Sequence, residues 1–72
     1  MTFGEKLQKL RRESALSQEK LAEQLHVSRQ AISKWELDET LPDIRQAKSL
    51  AQLYHTTLDD LLQYDAQVEE IQ

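Results

Sequence analysis

The sequence predicts a compact all-α domain, and three observations predict it. Apolar residues recur at spacings of three and four in successive segments, the periodicity of amphipathic helices. Ser17, Ser28, Pro42 and Thr57, residues suited to helix starts, stand before four of these segments. No segment alternates apolar and polar residues as a half-buried strand does. The 72 residues, 39% of them hydrophobic, supply one core and not two.

Phe3, Leu7 and Leu10, separated by charged and amide residues, predict a first helix over residues 3–13. Ser17-Gln18-Glu19-Lys20 resembles a capping box and opens a second helix, which turns Leu21, Ala22 and Leu25 inward. It ends near Leu25, because His26-Val27-Ser28 comes next and Ser28 caps a third helix from Arg29 to Glu36. Leu41-Pro42-Asp43 marks the next boundary, and Ile44, Ala47, Leu50, Ala51 and Leu53 carry a fourth helix. His55-Thr56-Thr57 interrupts it, and Thr57 caps a short fifth helix carrying Leu58, Leu61 and Leu62 to about Gln63. One domain over residues 1–64 is expected, with a polar tail over 65–72 that extends the fifth helix or leads into a further domain. Leu61, Tyr64, Val68 and Ile71 have a 3-4-3 spacing, the start of a heptad seam toward a partner subunit.

The absence of cysteine removes disulfides, thiol nucleophiles and thiolate metal sites, and a cytoplasmic location is expected. No run approaches the roughly 20 apolar residues that cross a bilayer, so no membrane partner is expected; no effector pocket is evident in the sequence, and neither a small-molecule ligand nor a cofactor is expected. A net charge of −4 stands at first against a polyanionic partner. The average misleads: residues 1–36 hold seven basic against five acidic side chains, a net of +2, and residues 37–72 hold two against eight, a net of −6. Asymmetry of this kind orients a molecule toward nucleic acid. No enzyme is expected. His26 and His55 are isolated, and the adjacent carboxylates Asp59 and Asp60 diverge on a helix.

Helices two and three are too short to stand alone, and a short turn between them is the geometry by which one helix braces another in a DNA groove. Leu21, Leu25, Val27, Ile32 and Trp35 form the apolar side, with Ala22 where a larger residue would separate the helices. Arg29, Gln30, Ser33 and Lys34 share the outer face of the third helix. Arginine pairs with guanine O6 and N7, and glutamine with adenine N6 and N7, so these four are the candidate base-reading residues. Gln18 and Ser28 start helices, where free N–H groups favour a phosphate, and are the candidate backbone contacts.

Taken together, Leu10-Arg11, Leu16 to Ala22, Val27 to Glu36, Pro42-Asp43 and Leu58 to Leu62 resemble the helix-turn-helix domains of the phage lambda repressor and Cro type, the XRE family. The resemblance covers residues 3–64 and implies a five-helix, lambda repressor-like domain. It further implies a helix three that enters the major groove of double-stranded DNA, and a homodimer on a palindromic operator. The same resemblance implies transcription regulation, with repression by blocking polymerase as the expected outcome. It also implies a structural ion pair between Arg11 and Glu36. Ala15, His26 and Asp38 fall where such domains often place glycine, and alanine at a positive φ costs on the order of 1 kcal/mol. The acidic pair Asp38-Glu39 stands where relatives often carry a neutral or basic residue near the phosphates. The alternative on the same fold is a protein-interaction or antitoxin-type module with weak DNA binding. The two differ in whether Arg29, Gln30, Ser33 and Lys34 serve binding while remaining dispensable for folding.

Overall fold

The computed structural model describes residues 1–62, and within them the chain forms five helices: α1 Phe3–Glu13, α2 Gln18–Leu25, α3 Arg29–Glu36, α4 Ile44–Leu53 and α5 Leu58–Leu62. No strand occurs among the described residues. The expected boundary at residue 64 and the tail over 65–72 lie outside them, as do Tyr64, Val68 and Ile71.

Each of these helices starts on a side-chain oxygen that accepts from a backbone N–H three residues on: Thr2, Ser17, Ser28, Asp43 and Thr57. At α1 and α4 the bond is reciprocated, Glu5 and Gln46 accepting from the Thr2 and Asp43 N–H groups at 2.9 and 3.0 Å. At α2 it is not, because the third helical residue is Lys20, which has no acceptor. The capping-box reading of Ser17 therefore reduces to a single cap.

The helix ends share a less common device. After α1, α2, α3 and α4 the chain passes through one left-handed residue, Ala15, His26, Asp38 and His55, with φ between 53° and 61°. The next N–H after each of these bonds back five residues: Leu16 to Arg11, Val27 to Ala22, Glu39 to Lys34 and Thr56 to Ala51, at 2.9–3.1 Å. This is the Schellman termination, which usually employs glycine. None of the four is glycine here. Three are the positions where the resemblance calls for glycine, and His55 is a fourth that sequence patterning marks only as a break.

The core gathers Phe3 and Leu7 from α1, Leu21 from α2, Ile32 from α3, Leu50 from α4 and Leu61 from α5, all fully buried. Six such side chains removed from water each contribute about 1.5–3 kcal/mol, which is what holds helices of five to eleven residues that would melt alone. Leu61, expected on a seam facing a partner subunit, belongs to this core, because α5 packs against α1 and α4. Ile44 is 61% exposed, because the first turn of α4 projects past the core that Ala47, Leu50 and Ala51 fill.

α3 packs against both α1 and α2. The approach of α1 is close at Gly4, where an added Cβ would stand 2.7 Å from the Trp35 carbonyl oxygen and 2.8 Å from the Glu36 carbonyl carbon. Only glycine admits that contact. Asp38 fastens the same junction: its carboxylate accepts from the Gly4 N–H at 2.9 Å and the Thr2 hydroxyl at 2.7 Å. It thereby satisfies an N-terminal N–H group of α1.

Candidate nucleic-acid interface

Ile32, Trp35 and Glu36 point α3 into the protein, and this fixes what it shows to solvent. Arg29, Gln30 and Lys34 are exposed and Ser33 is partly so. With Leu37 and Glu39 these four residues line one shallow recess of about 310 Å³ along the outer face of the helix. The candidate base-reading residues are thus brought together on one surface, with two cations facing one carboxylate. Major-groove base edges present hydrogen-bond donors and acceptors, and the recess offers the matching guanidinium, amide, hydroxyl and ammonium groups.

A buried ion pair holds the helix in place. Arg11 Nε donates to Glu36 Oε2 at 2.6 Å and its terminal nitrogen to Oε1 at 3.2 Å, while the other terminal nitrogen donates to the Leu16 carbonyl at 2.9 Å. The side chains are 13% and 2% exposed. Glu36 accepts a third bond, from Gln18 Nε2 at 3.0 Å, and Gln18 Oε1 in turn accepts from Arg29 at 3.5 Å. A continuous chain therefore runs from α1 through the C-terminal end of α3 and the start of α2 to the first residue of α3. Gln18 thus bonds both Glu36 and Arg29. One amide hydrogen remains on it for a phosphate. The exposed Ser28 hydroxyl accepts from the Ala31 N–H at 3.1 Å and keeps its own proton to donate.

Sequence patterning misses Leu37, and it marks Glu39 only as half of the acidic pair after helix three. Leu37 continues the helical path beyond Glu36, its N–H bonding the Ser33 carbonyl at 3.0 Å, so the i to i+4 spacing from Ser33 is the available signal. The Asp38 carboxylate accepts from the Thr2 hydroxyl and the Gly4 N–H, contacts between distant segments that sequence patterning does not show. Among the described residues no group of His, Asp and Glu could hold a metal ion, and no helix is long and apolar enough to cross a membrane.

The chain is 50% identical over 62 residues to the HTH-type transcriptional activator BcrR of Enterococcus faecalis, a match covering 86% of this chain and 30% of that protein. A prophage-derived HTH-type transcriptional regulator of Bacillus subtilis, YonR, is 33% identical over 60 residues, covering 83% of this chain and 56% of that one. The chain thus spans about a third to a half of the length of these relatives. Among solved structures, a transcriptional regulator from Listeria innocua superposes with a TM-score of 0.83 at 33% identity, covering 88% of this chain and 59% of that one. The P22 c2 repressor, solved with a synthetic operator, superposes with a TM-score of 0.82 at 31% identity over 86% of this chain and 94% of that one. The helix-turn-helix family model matches residues 7–61, which takes in α2, α3 and the recess on the outer face of α3, and the chain belongs to the helix-turn-helix family.

Proposed function

We propose that this chain is a sequence-specific, double-stranded-DNA-binding transcription regulator that lays α3 in the major groove. Arg29, Gln30, Ser33 and Lys34 read base edges, and Gln18 and Ser28 contact the backbone. The observation that carries this reading is the recess itself: four side chains of base-reading chemistry on one exposed face of a helix whose opposite face is locked by core packing and a buried ion pair. Preorganisation of that kind is what direct readout needs, since a contact held loosely discriminates poorly.

The chain acts as a homodimer on a palindromic operator, with recognition helices roughly 34 Å apart for half-sites one turn distant. The likeness to a repressor solved with a synthetic operator supports the double-stranded-DNA part of this reading. A relative named as an activator shares the same segment, so the domain serves either sign of regulation, and occupancy over a promoter represses by excluding polymerase. The protein works in the cytoplasm and catalyses no reaction.

Selection of bound sequences from a random duplex pool, paired with sedimentation of the protein alone and with the selected duplex, tests this. A palindromic motif bound by two chains is the expected result. Failure to enrich any motif at low and near-physiological salt would overturn DNA readout in favour of a protein-interaction module.

A further inference from the structure

Gln18 stands between two groups that together admit only one orientation of its amide. The Glu36 carboxylate only accepts and the Arg29 guanidinium only donates. With its nitrogen 3.0 Å from Glu36 Oε1, the amide presents its oxygen to Arg29 Nη1 at 3.5 Å. Turned over, it would set oxygen against carboxylate and NH2 against guanidinium, two repulsive contacts in place of two bonds. The carboxylate therefore decides which end of the amide Arg29 meets.

Glu36 is itself held: its side chain is 2% exposed and accepts twice from Arg11, so turning away would leave a largely buried guanidinium unpaired. Arg29 is the opposite case, an exposed side chain at the first position of α3 whose rotamer freedom is lost when it engages a base. A carbonyl that already faces the guanidinium narrows that freedom before DNA arrives, and 3.5 Å restrains without locking. We propose that the Arg11–Glu36 pair, besides fastening α3, is a positioning device for base reading that acts through Gln18 on Arg29. It rests on Arg29 reading a base edge. Gln18 then serves three groups at once, with one amide hydrogen on Glu36, the other for a phosphate and its oxygen on Arg29.

The test is the ratio of affinities for the selected duplex and a scrambled one. It is measured for the wild type, Gln18→Met and the Arg11→Met, Glu36→Leu double variant, each with Arg29 and with Arg29→Ala, circular dichroism confirming that each is folded. A lost phosphate contact weakens both duplexes alike and leaves the ratio unchanged. With Arg29 present, Gln18→Met and the double variant should each lower the ratio about fivefold or more, within the worth of one bidentate base contact. In the Arg29→Ala background neither should lower it further. A folded variant that keeps the wild-type ratio overturns the proposal, and so does a drop as large without Arg29 as with it, the mark of a purely structural role. Gln18→Met leaves the ion pair in place and decides the matter if the double variant does not fold. Either failure leaves a wild type that still selects its motif, whereas a wild type that selects none removes readout by α3 as well.

Discussion

Replacing Glu36 by glutamine keeps the side chain's shape, removes its charge and breaks the bonding pattern that the carboxylate completes. Glu36 accepts three N–H groups, two from Arg11 and one from Gln18, spread over both carboxylate oxygens. A carboxamide has one oxygen, so whichever way it turns its NH2 group faces another donor. The Arg11 charge is left without its partner at a site where the glutamate side chain is 2% exposed. Removing one member of a buried pair costs about 3–5 kcal/mol, and the 13% exposure of Arg11 places this case near about 3 kcal/mol. A domain of this length has a total stability of about 4–11 kcal/mol. The loss is therefore a large share of it, and should lower the melting temperature by roughly 12 °C or more. Removing both charges with Arg11→Met and Glu36→Leu together should cost less than either Arg11→Met or Glu36→Leu alone, because no unpaired ion remains. Urea denaturation of the wild type, the singles and the double measures this. A Glu36→Gln loss under about 1 kcal/mol, or a double whose cost equals the sum of its singles, would refute the reasoning.

Three further substitutions test separate parts of the fold and site. Gly4→Ala should destabilise by up to about 2 kcal/mol net, since overpacking against the α3 backbone costs about 1–3 kcal/mol and improved helix propensity returns only about 1 kcal/mol; a rise in melting temperature would contradict the close approach of α1 and α3. Ala15→Gly should raise stability by roughly 0.5–1 kcal/mol in urea denaturation by relieving the left-handed backbone, where the same change inside a helix would lower it. Lys34→Ala should leave folding unchanged and, for a phosphate contact, make the slope of log affinity against log salt shallower by about one; an unchanged slope together with altered base preference assigns Lys34 to the bases.

The helices are legible in the sequence because their signals are local. A cap and the residue it bonds are three apart, and an amphipathic period shows within two turns, so Ser17, Ser28 and Thr57 announce α2, α3 and α5, and Pro42 marks the start of α4. The outer face of α3 is legible for the same reason: once Ile32 and Trp35 are inward, geometry puts Arg29, Gln30, Ser33 and Lys34 outward. The hidden features depend on contacts between distant segments. Nothing local tells that Asp38 reaches back to Thr2 and Gly4, or that the lone glycine faces a carbonyl of α3. Gln18 reads as a free phosphate ligand because its partners, Glu36 and Arg29, lie on another helix. Leu61 fits two periodic patterns at once, a core stripe and a heptad seam, and packing of α5 against α1 and α4 decides for the core. Ile44 fits the α4 stripe by spacing, yet the core ends before the first turn of that helix.

That α3 reads base edges is the central claim, and the most direct measurement is the affinity ratio between the selected duplex and a scrambled one of equal length. It is taken by fluorescence anisotropy at two salt concentrations, for the wild type and for the Arg29→Ala, Gln30→Ala double variant shown by circular dichroism to be folded. The wild type should prefer the selected duplex by about a thousandfold or more at near-physiological salt. The double variant should lose most of that preference, each bidentate contact being worth about 1–3 kcal/mol, while keeping its weak affinity for the scrambled duplex. A folded double variant that retains the wild-type ratio would contradict readout by α3.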